Sequence, residues 1–364
     1  MRILIAGAGI AGLVLGQALK KLAPEVEFTI TEKSPSLQTA GAGLILAPNA
    51  LQVLEQLDAL DRLLPLGQNL GASHLCDARG KSLQALRAPA GKLLAFHRGE
   101  LSAQLAKGLE PHLKFGQAYQ SHQPKNGKLE VQFTDGSVVQ ADVLIGADGL
   151  HSRVRQQVHG PSVVHAGYTS WRAVLPFSQK LEGARELWGH GKRLGLVPLT
   201  ENRLYVYLTL NSKAQQFQRS RPAFSSLFAE FSGADFGALN LLDQHPVIHT
   251  DIRELPVPFW GNGQVVLLGD AAHALTPNLG QGAGMGIEDA LWLAKGIQSG
   301  QKNLSVWMRQ GRQKRVQQVQ ILSRHLGRAG QLQNRGLVSI RNALLGAVPG
   351  QPPTWLWNPD QSLK

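Results

Sequence analysis

The sequence predicts an α/β fold in which a domain built on a parallel sheet is interleaved with a smaller β-sheet domain and followed by a helical C-terminal region. An apolar run at 2–6 precedes a glycine-rich turn and a stretch with helical spacing. Two later apolar runs, at 143–147 and 265–268, each end in a short acidic turn. The stretch 165–255 alternates apolar and polar residues, a pattern typical of strands.

The first turn follows the pattern G-x-G-x-x-G. Gly7 is expected to form the tight turn, Gly9 to let the backbone approach a pyrophosphate, and Gly12 to let the next helix lie close to the strand. A second strand ends at Glu32, twenty residues after Gly12, which is the spacing expected for an acid that binds a ribose hydroxyl. The motif therefore predicts a Rossmann-like dinucleotide site, and alone it does not distinguish NAD from FAD.

The two later strands carry acids at their ends, in the pairs Asp148-Gly149 and Gly269-Asp270. Ligands of open α/β sheets bind outside the carboxyl ends of the strands. We therefore expect the glycine-rich turn and both acidic turns to meet at one edge of the sheet.

These three motifs in this order, with the sequence HRGEL at 97–101, resemble the group A FAD-dependent aromatic monooxygenases of the para-hydroxybenzoate hydroxylase type. The resemblance covers roughly residues 1–300. It implies FAD as cofactor, NADH or NADPH as co-substrate, and oxygen transfer from O2 to a small aromatic or heteroaromatic substrate through a flavin C4a-hydroperoxide. No second G-x-G-x-x-G has a strand before it and a helix after it, so no separate NAD(P)H domain is predicted. The resemblance implies that the nicotinamide binds transiently.

The resemblance also gives roles to single side chains. It implies that Glu32 holds the adenosine ribose, that Arg98 and Asp148 lie near the pyrophosphate and ribityl region, and that Asp270 binds the ribityl chain. The predicted cofactor-binding residues are Gly7, Gly9, Ala11, Gly12, Glu32, Lys33, Arg98, Asp148, Gly149, Gly269, Asp270, Gly280, Gln281, Gly282 and Ala283.

The loop that follows Pro277 is the predicted contact with the flavin ring. Its residues 280–283 can direct backbone N–H groups at a flat ring, and a helix predicted over 284–297 points its positive N-terminus at the loop. Such an array favours the negative charge that builds on a reduced flavin. Pro277 is accordingly a candidate catalytic residue. The alternative is a glycine-rich loop shaped only for packing.

The middle of the chain is the predicted substrate domain. The segment RLYVYLTL is predicted to alternate between two faces, with Leu204, Val206, Leu208 and Leu210 on one and Tyr205, Tyr207 and Thr209 on the other. A sheet of this kind can form the roof of a pocket beside the flavin. The alternative is an ordinary half-exposed strand.

Within the family, the segments at 188–195 and 270–285 resemble the 2-alkyl-4-quinolone 3-monooxygenases, which implies hydroxylation of such a quinolone at C3. Salicylate, 3-hydroxybenzoate and urate hydroxylases are the next most similar. The urate-type relatives imply that Arg193 and Tyr205 face the substrate. A surface role for Arg193 is the alternative.

Two histidines, His190 and His273, are candidates for relaying a proton, since histidine titrates near neutral pH. A structural role is the alternative for each. No His, Cys or Asp cluster has the spacing of a metal site, so no metal is predicted.

The predicted domains are discontinuous. The FAD-binding domain comprises 1–70, 95–164 and 256–300, the substrate domain comprises 71–94 and 165–255, and the basic helical region comprises 301–364.

The single cysteine, Cys76, excludes a disulfide framework and CxxC redox chemistry, which favours the cytosol. The apolar N-terminus also allows a signal peptide, although the glycine spacing is better explained by the dinucleotide motif.

The net charge of +12 is unevenly distributed, because no acid lies between Asp289 and Asp360. This basic region has Gly327, Gly330 and Gly336 as expected helix breaks, and Trp355 and Trp357 as expected exposed side chains. It is either a solvated helical face, a peripheral contact with the inner membrane surface, or an attractor of acidic ligands. Nucleic acid binding is not predicted, and the chain is expected to be a monomer or a homodimer.

Two rival functions are compatible with the same sequence. One is an epoxidase or hydroxylase of a non-aromatic alkene or polyketide, and the other is a non-catalytic FAD-binding sensor.

Overall fold

The computed structural model describes residues 1–37, 42–87, 92–218, 220–347, 350 and 354–358. The α-helices of these residues, numbered in chain order, are α1 (Ile10–Leu22), α2 (Pro48–Gln56), α3 (Arg98–Ala106), α4 (Arg153–Gln157), α5 (Phe224–Leu227), α6 (Ala238–Gln244), α7 (Asp270–His273), α8 (Gly282–Gln298), α9 (Leu304–Gly330), α10 (Arg335–Ala347) and α11 (Thr354–Trp357). Short 3-10 helices occur at Leu64–Leu66, Glu110–His112, Ala229–Phe231 and Pro277–Leu279.

The strands of the described residues form four sheets, and the spatial order of the strands differs from their order in the chain. In spatial order, the six-stranded sheet contains β18 (Gly261–Asn262), β19 (Val265–Leu267), β12 (Val143–Gly146), β1 (Arg2–Ala6), β2 (Glu27–Glu32) and β8 (Leu113–Phe115). The seven-stranded sheet contains β17 (Ile248–Glu254), β13 (Val164–Pro176), β16 (Arg203–Asn211), β15 (Lys192–Leu199), β14 (Ala184–Trp188), β5 (Ser73–Asp77) and β6 (Ser82–Leu86). The three-stranded sheets contain β11 (Val138–Ala141), β10 (Lys128–Phe133) and β9 (Tyr119–Lys125), and β3 (Gly43–Leu46), β7 (Leu94–His97) and β4 (Gln68–Asn69).

The six-stranded sheet is parallel from β19 to β8, and β18 alone runs antiparallel to its neighbour. Helices α1 and α8 pack against each other through small residues. A Cβ added to Gly286 would lie 3.2 Å from the Cβ of Ala11, and one added to Gly269 would lie 3.0 Å from the same atom. This close packing brings the start of α1 and the start of α8 to neighbouring positions. The predicted α/β fold is confirmed.

The seven-stranded sheet separates two apolar clusters. Leu204, Val206 and Leu208 face a cluster formed with the short helices α5 and α6. Tyr205 and Tyr207 face the main core, which includes the parallel sheet. The predicted alternation is therefore confirmed. The half-exposed alternative is wrong for this strand, because both of its faces are covered.

The C-terminal region differs from the expectation in three places. Gly327 lies inside α9 and Gly336 inside α10, so that of the three predicted breaks only Gly330 ends a helix. Close packing accounts for Gly327, since a Cβ there would lie 2.3 Å from the side chain of Asn278. The side chain of Trp357 is buried rather than exposed, and residues after 358 lie outside the described ranges.

The strands from 43 to 97 belong to two different sheets, so the chain passes from one sheet to the other and back. Strands β5 and β6 join the seven-stranded sheet, whereas β3, β4 and β7 form a separate small sheet. The exact domain division stays a prediction. Over the described ranges, no helix has the length and apolar character that crossing a bilayer requires.

Candidate active site

The glycine-rich turn and the acids meet at one edge of the parallel sheet, as expected from the sequence. Gly7 follows β1, Glu32 ends β2, Asp148 follows β12 and Asp270 follows β19. The Glu32 carboxylate accepts hydrogen bonds from the backbone N–H groups of Ala8 and Ser34, each at 3.0 Å. It therefore already supports the turn that would hold a pyrophosphate.

The three motif glycines have different reasons to be glycine. Gly7 has a φ of +116°, and a Cβ there would lie 2.3 Å from the carbonyl oxygen of Ala147. A Cβ on Gly12 would lie 2.1 Å from the carbonyl oxygen of Gly7. Gly9 differs, because its φ of −72° suits any residue and no atom lies within 4 Å of an added Cβ. Folding requires glycine at Gly7 and Gly12, whereas the open space at Gly9 fits a bound ligand.

The two acidic turns also fit a cofactor. Oδ2 of Asp148 accepts hydrogen bonds from the N–H groups of Arg153 at 2.8 Å and Val154 at 3.2 Å. Its Oδ1 is buried and has no partner in the described part of the chain. A buried acceptor normally has a hydrogen-bond partner, so that FAD hydroxyls would complete this site. Asp270 is exposed at the start of α7, where its carboxylate can reach the same ligand.

The predicted flavin loop leads directly into a helix. Pro277 begins a 3-10 turn, Gly280 has a φ of +63°, and α8 begins at Gly282, two residues earlier than expected. No side chain caps the first turn of α8, so its N–H groups remain directed out of the helix end. Gln281 is buried, and its Oε1 accepts a hydrogen bond from Nδ2 of Asn49 at 3.1 Å.

A buried ionic network lies behind this loop. Nδ2 of Asn49 also donates to Glu288 at 2.7 Å, and Arg312 donates to both Glu288 and Asp289 at 2.7 Å. His273 is fully buried and bonds to Asp289 through Nε2. Its contacts are those of a structural residue, which supports the structural alternative for His273. The network connects α8, α9 and the flavin loop into one unit.

Tyr205 lies where the seven-stranded sheet meets the small sheet that contains β3. A Cβ on Gly43 would lie 2.5 Å from Cγ of Tyr205, which shows that the ring packs directly on β3. Burial raises the pKa of Tyr205 to about 12, although the nearby charges of Arg172 and Arg98 act in the opposite direction. The hydroxyl is therefore a neutral hydrogen-bond donor at physiological pH.

Arg193 is buried on the same face of the seven-stranded sheet, so the alternative of a surface arginine is wrong. Its Nη1 lies 3.2 Å from Glu186, its Nε donates to Thr209 at 3.1 Å, and its guanidinium lies 5.3 Å from the ring centre of Tyr168. Burial acts to lower the pKa of Arg193, but Glu186 and the neighbouring tyrosines together outweigh it and the pKa is raised. Arg193 is thus a charged group whose charge is balanced by Glu186. We call Arg193, Glu186, Tyr168 and Tyr205 the candidate substrate wall.

Several residues of this wall were not predicted from the sequence. Glu186 balances Arg193, and Tyr168 donates to Oδ1 of Asn278 at 3.2 Å. Asn278 directly follows Pro277, so the Tyr168 contact joins the candidate substrate wall to the predicted flavin loop. Asn278 could have been predicted as a site residue because it lies in that loop. No sequence pattern predicts a site role for Glu186 or Tyr168.

His190 lies away from this group, in the turn between β14 and β15. Its Nδ1 is 2.9 Å from Glu230, and its side chain is 43% exposed. In the part of the chain that the structure describes, none of its hydrogen bonds or ion pairs involves Arg193 or Tyr205. A substrate contact by His190 stays a prediction.

The open phosphate turn, the acidic turns and the flavin loop together define a flavoprotein of the oxygenase type. The chain belongs to the FAD binding domain family, whose model matches residues 1–302, and it is an FAD-dependent monooxygenase. The predicted family and cofactor are confirmed.

The chain is similar to two enzymes over most of their length. It is 34% identical over 363 residues to 2-heptyl-3-hydroxy-4(1H)-quinolone synthase of Pseudomonas aeruginosa, covering 96% of this chain and 94% of that protein. It is 34% identical over 312 residues to aurachin C monooxygenase/isomerase of Stigmatella aurantiaca, covering 81% and 80%. Klebsiella pneumoniae HpxO, solved with FAD and uric acid, shares the fold with a TM-score of 0.86 at 24% identity, covering 96% of this chain and 94% of that one.

Proposed function

We propose that this enzyme hydroxylates a 2-alkyl-4-quinolone at C3, with NADH or NADPH as reductant and O2 as oxidant. The observation that carries the substrate choice is the ion pair between the buried Arg193 and the partly exposed Glu186. The similarity to the quinolone synthase supports the same choice.

The pair favours a neutral substrate over an anionic one. A benzoate or salicylate would bring its carboxylate near Glu186, and two like charges in a poorly solvated site repel strongly. A 4-quinolone is neutral and offers one N–H donor and one carbonyl acceptor. Arg193, Glu186 and the Tyr205 hydroxyl supply matching donors and acceptors without adding net charge.

The side chains of the wall bind and orient the substrate. Bound FAD, once reduced, supplies the oxygen-activating chemistry. Tyr205 would donate to the substrate carbonyl, Arg193 and Glu186 would fix the ring, and the apolar surroundings would exclude water. The N-terminus of α8 would favour negative charge on the adjacent ligand. The role of Pro277 is to start the turn that shapes the loop.

The first test is NADH and NADPH oxidation by the purified FAD-loaded enzyme with a substrate panel. A 2-alkyl-4-quinolone should stimulate oxidation and yield a product with one added oxygen. Salicylate, 3-hydroxybenzoate and urate should not. Stimulation by a benzoate or by urate instead would contradict the quinolone assignment, and product from an alkene or polyketide would favour that alternative.

Replacing Tyr205 with phenylalanine should weaken quinolone binding about tenfold, because a neutral hydrogen bond to the substrate is lost. The raised pKa predicts that the wild-type dissociation constant shows no Tyr205 ionisation from about pH 6 to about pH 10. Titration of substrate against flavin absorbance measures both effects. Tyr119→Phe is the control, because Tyr119 is a buried tyrosine on β9, outside the seven-stranded sheet, and its variant should bind the quinolone like the wild type. An ionisation near pH 7 that vanishes in Tyr205→Phe would contradict the assignment.

Four further statements about this enzyme stay predictions. It uses NADH or NADPH, it is a monomer or a homodimer, it is cytoplasmic, and it contacts the membrane peripherally. The sensor alternative is disfavoured because the relatives are named monooxygenases and hydroxylases.

A further inference from the structure

Helix α10 presents an apolar stripe to solvent. Leu337, Ile340 and Leu344 are 50%, 58% and 62% exposed, although each is a large aliphatic side chain. Their spacing of three and four residues places them on one side of the helix. We call these three residues the α10 stripe. Isolated exposed aliphatic residues are common, whereas an aligned set on one helix indicates an interaction surface.

The stripe is held in place by contacts on the adjacent side of α10. Val338 is buried, and Arg341 donates to the carbonyl oxygens of Ala329 at 3.1 Å and Trp188 at 3.4 Å. The Arg341 guanidinium also lies 5.3 Å from the Trp188 ring centre. Because the adjacent face is anchored, the stripe cannot be buried by rotating the helix without breaking these contacts.

The chain around the stripe is basic. No acid occurs in residues 290–359 of the sequence. Lys302, Arg309, Lys314, Arg328 and Arg335 are exposed on or beside α9 and α10. Of these five exposed basic residues, Arg328 and Arg335 lie nearest to the stripe along the chain.

These features favour an anionic lipid surface over a second copy of the chain. Each copy has a net charge of +12, so that two acid-free basic surfaces would repel each other. A helix with aliphatic side chains on one face and lysine or arginine nearby is instead suited to the headgroup region of an anionic bilayer.

We propose that α10 docks the enzyme on an anionic membrane surface, with Leu337, Ile340 and Leu344 inserted at the headgroup boundary. The same helix adjoins the substrate wall. Arg341 of α10 contacts Trp188, which is paired with Arg193 in the sheet, and Gly330 at the end of α9 packs on Arg193, with an added Cβ only 3.0 Å from the arginine Cδ. Docking through α10 would therefore bring the candidate substrate pocket close to the bilayer. The proposal does not depend on which substrate is used.

The test is cosedimentation of the FAD-loaded full chain with vesicles. One set contains phosphatidylcholine only, and the other contains about one third phosphatidylglycerol. The wild type should pellet with the anionic vesicles and be largely released in about 1 M salt, where the Debye length is about 3 Å. The triple variant L337S/I340S/L344S should lose at least tenfold in vesicle partitioning while keeping its FAD content.

The matched control is V164S/I248S/V257S, which removes three comparably exposed aliphatic side chains outside α10. It should bind vesicles like the wild type. Equal binding by the α10 triple variant, absence of wild-type binding, or equal binding to both vesicle types would each overturn the proposal. Sedimentation velocity tests whether a second copy of the chain binds the stripe instead. A dimer in the wild type and a monomer in the triple variant would assign the stripe to a second copy and overturn the proposal.

Discussion

Replacing Arg312 with methionine should lower the free energy of unfolding by about 3–5 kcal/mol. Arg312 is fully buried on α9 and holds Glu288 and Asp289, which are also fully buried, at 2.7 Å each. Burial acts to raise the pKa of Asp289, but His273 and Arg312 outweigh it and the pKa is lowered. In the variant, Arg315 still pairs with Glu288, and one carboxylate loses its arginine partner. Urea unfolding of the apoprotein measures the loss.

The matched control is Lys314→Met, two positions along the same helix, where the side chain is exposed. This change should stay within about 0.5 kcal/mol. The Arg312 variant should also bind FAD more weakly, because Glu288 fixes Asn49 and Asn49 fixes Gln281 in the flavin loop. Equal urea midpoints for the two variants would show that the buried network does not stabilise the fold.

The cofactor half of the fold follows from local sequence rules. A buried strand, a tight glycine turn and a helix start are determined by neighbouring residues, so that Gly7, Gly12 and Glu32 could be placed from the sequence. Parallel strands then bring Asp148 and Asp270 to the same edge whatever the intervening chain does. This is why the dinucleotide site could be predicted without knowledge of the long connections, whereas the choice of FAD came from the family resemblance.

The substrate wall depends on pairings between distant strands, which a sequence pattern does not specify. Arg193 meets Glu186 because β14 and β15 are antiparallel neighbours, with Trp188 opposite Arg193 and Glu186 on the same face two residues away. Tyr168 reaches Asn278 across more than a hundred residues of chain. The sequence marks Arg193 as a candidate, but whether it was exposed, free or paired depended on the register of that sheet.

The helices of the C-terminal region differ from the predicted ones for a related reason. Glycine at positions 327 and 336 is a helix breaker by intrinsic propensity, yet both residues are helical. Tertiary packing holds Gly327, whereas Gly336 is exposed in the first turn of α10. Gly327 is required by the neighbouring Asn278, and the α9 helix continues because its buried face carries Arg312, Arg315 and Ser323 into the core. Propensity alone cannot reveal that a basic helix directs part of its charge inward.

Replacing Gly9 with alanine should weaken FAD binding at least a hundredfold, about 2.8 kcal/mol, while leaving the apoprotein as stable as the wild type. The protein itself gives no reason for glycine there, because the backbone has a φ of −72° and an added Cβ meets nothing within 4 Å. A close approach of the FAD pyrophosphate to the backbone is the remaining reason. Titration of apoprotein with FAD measures the affinity, and thermal unfolding with and without FAD measures the linked stabilisation.

Gly12→Ala separates this effect from a general loss of folding. Its Cβ would lie 2.1 Å from the Gly7 carbonyl oxygen, so that the apoprotein itself should be destabilised. A Gly9→Ala protein with native apoprotein stability and lost FAD affinity would assign the open space to the cofactor. Native FAD affinity in Gly9→Ala would mean that the pyrophosphate lies elsewhere along the sheet edge, and the roles inferred for Asp148 and Asp270 would have to be reassigned with it.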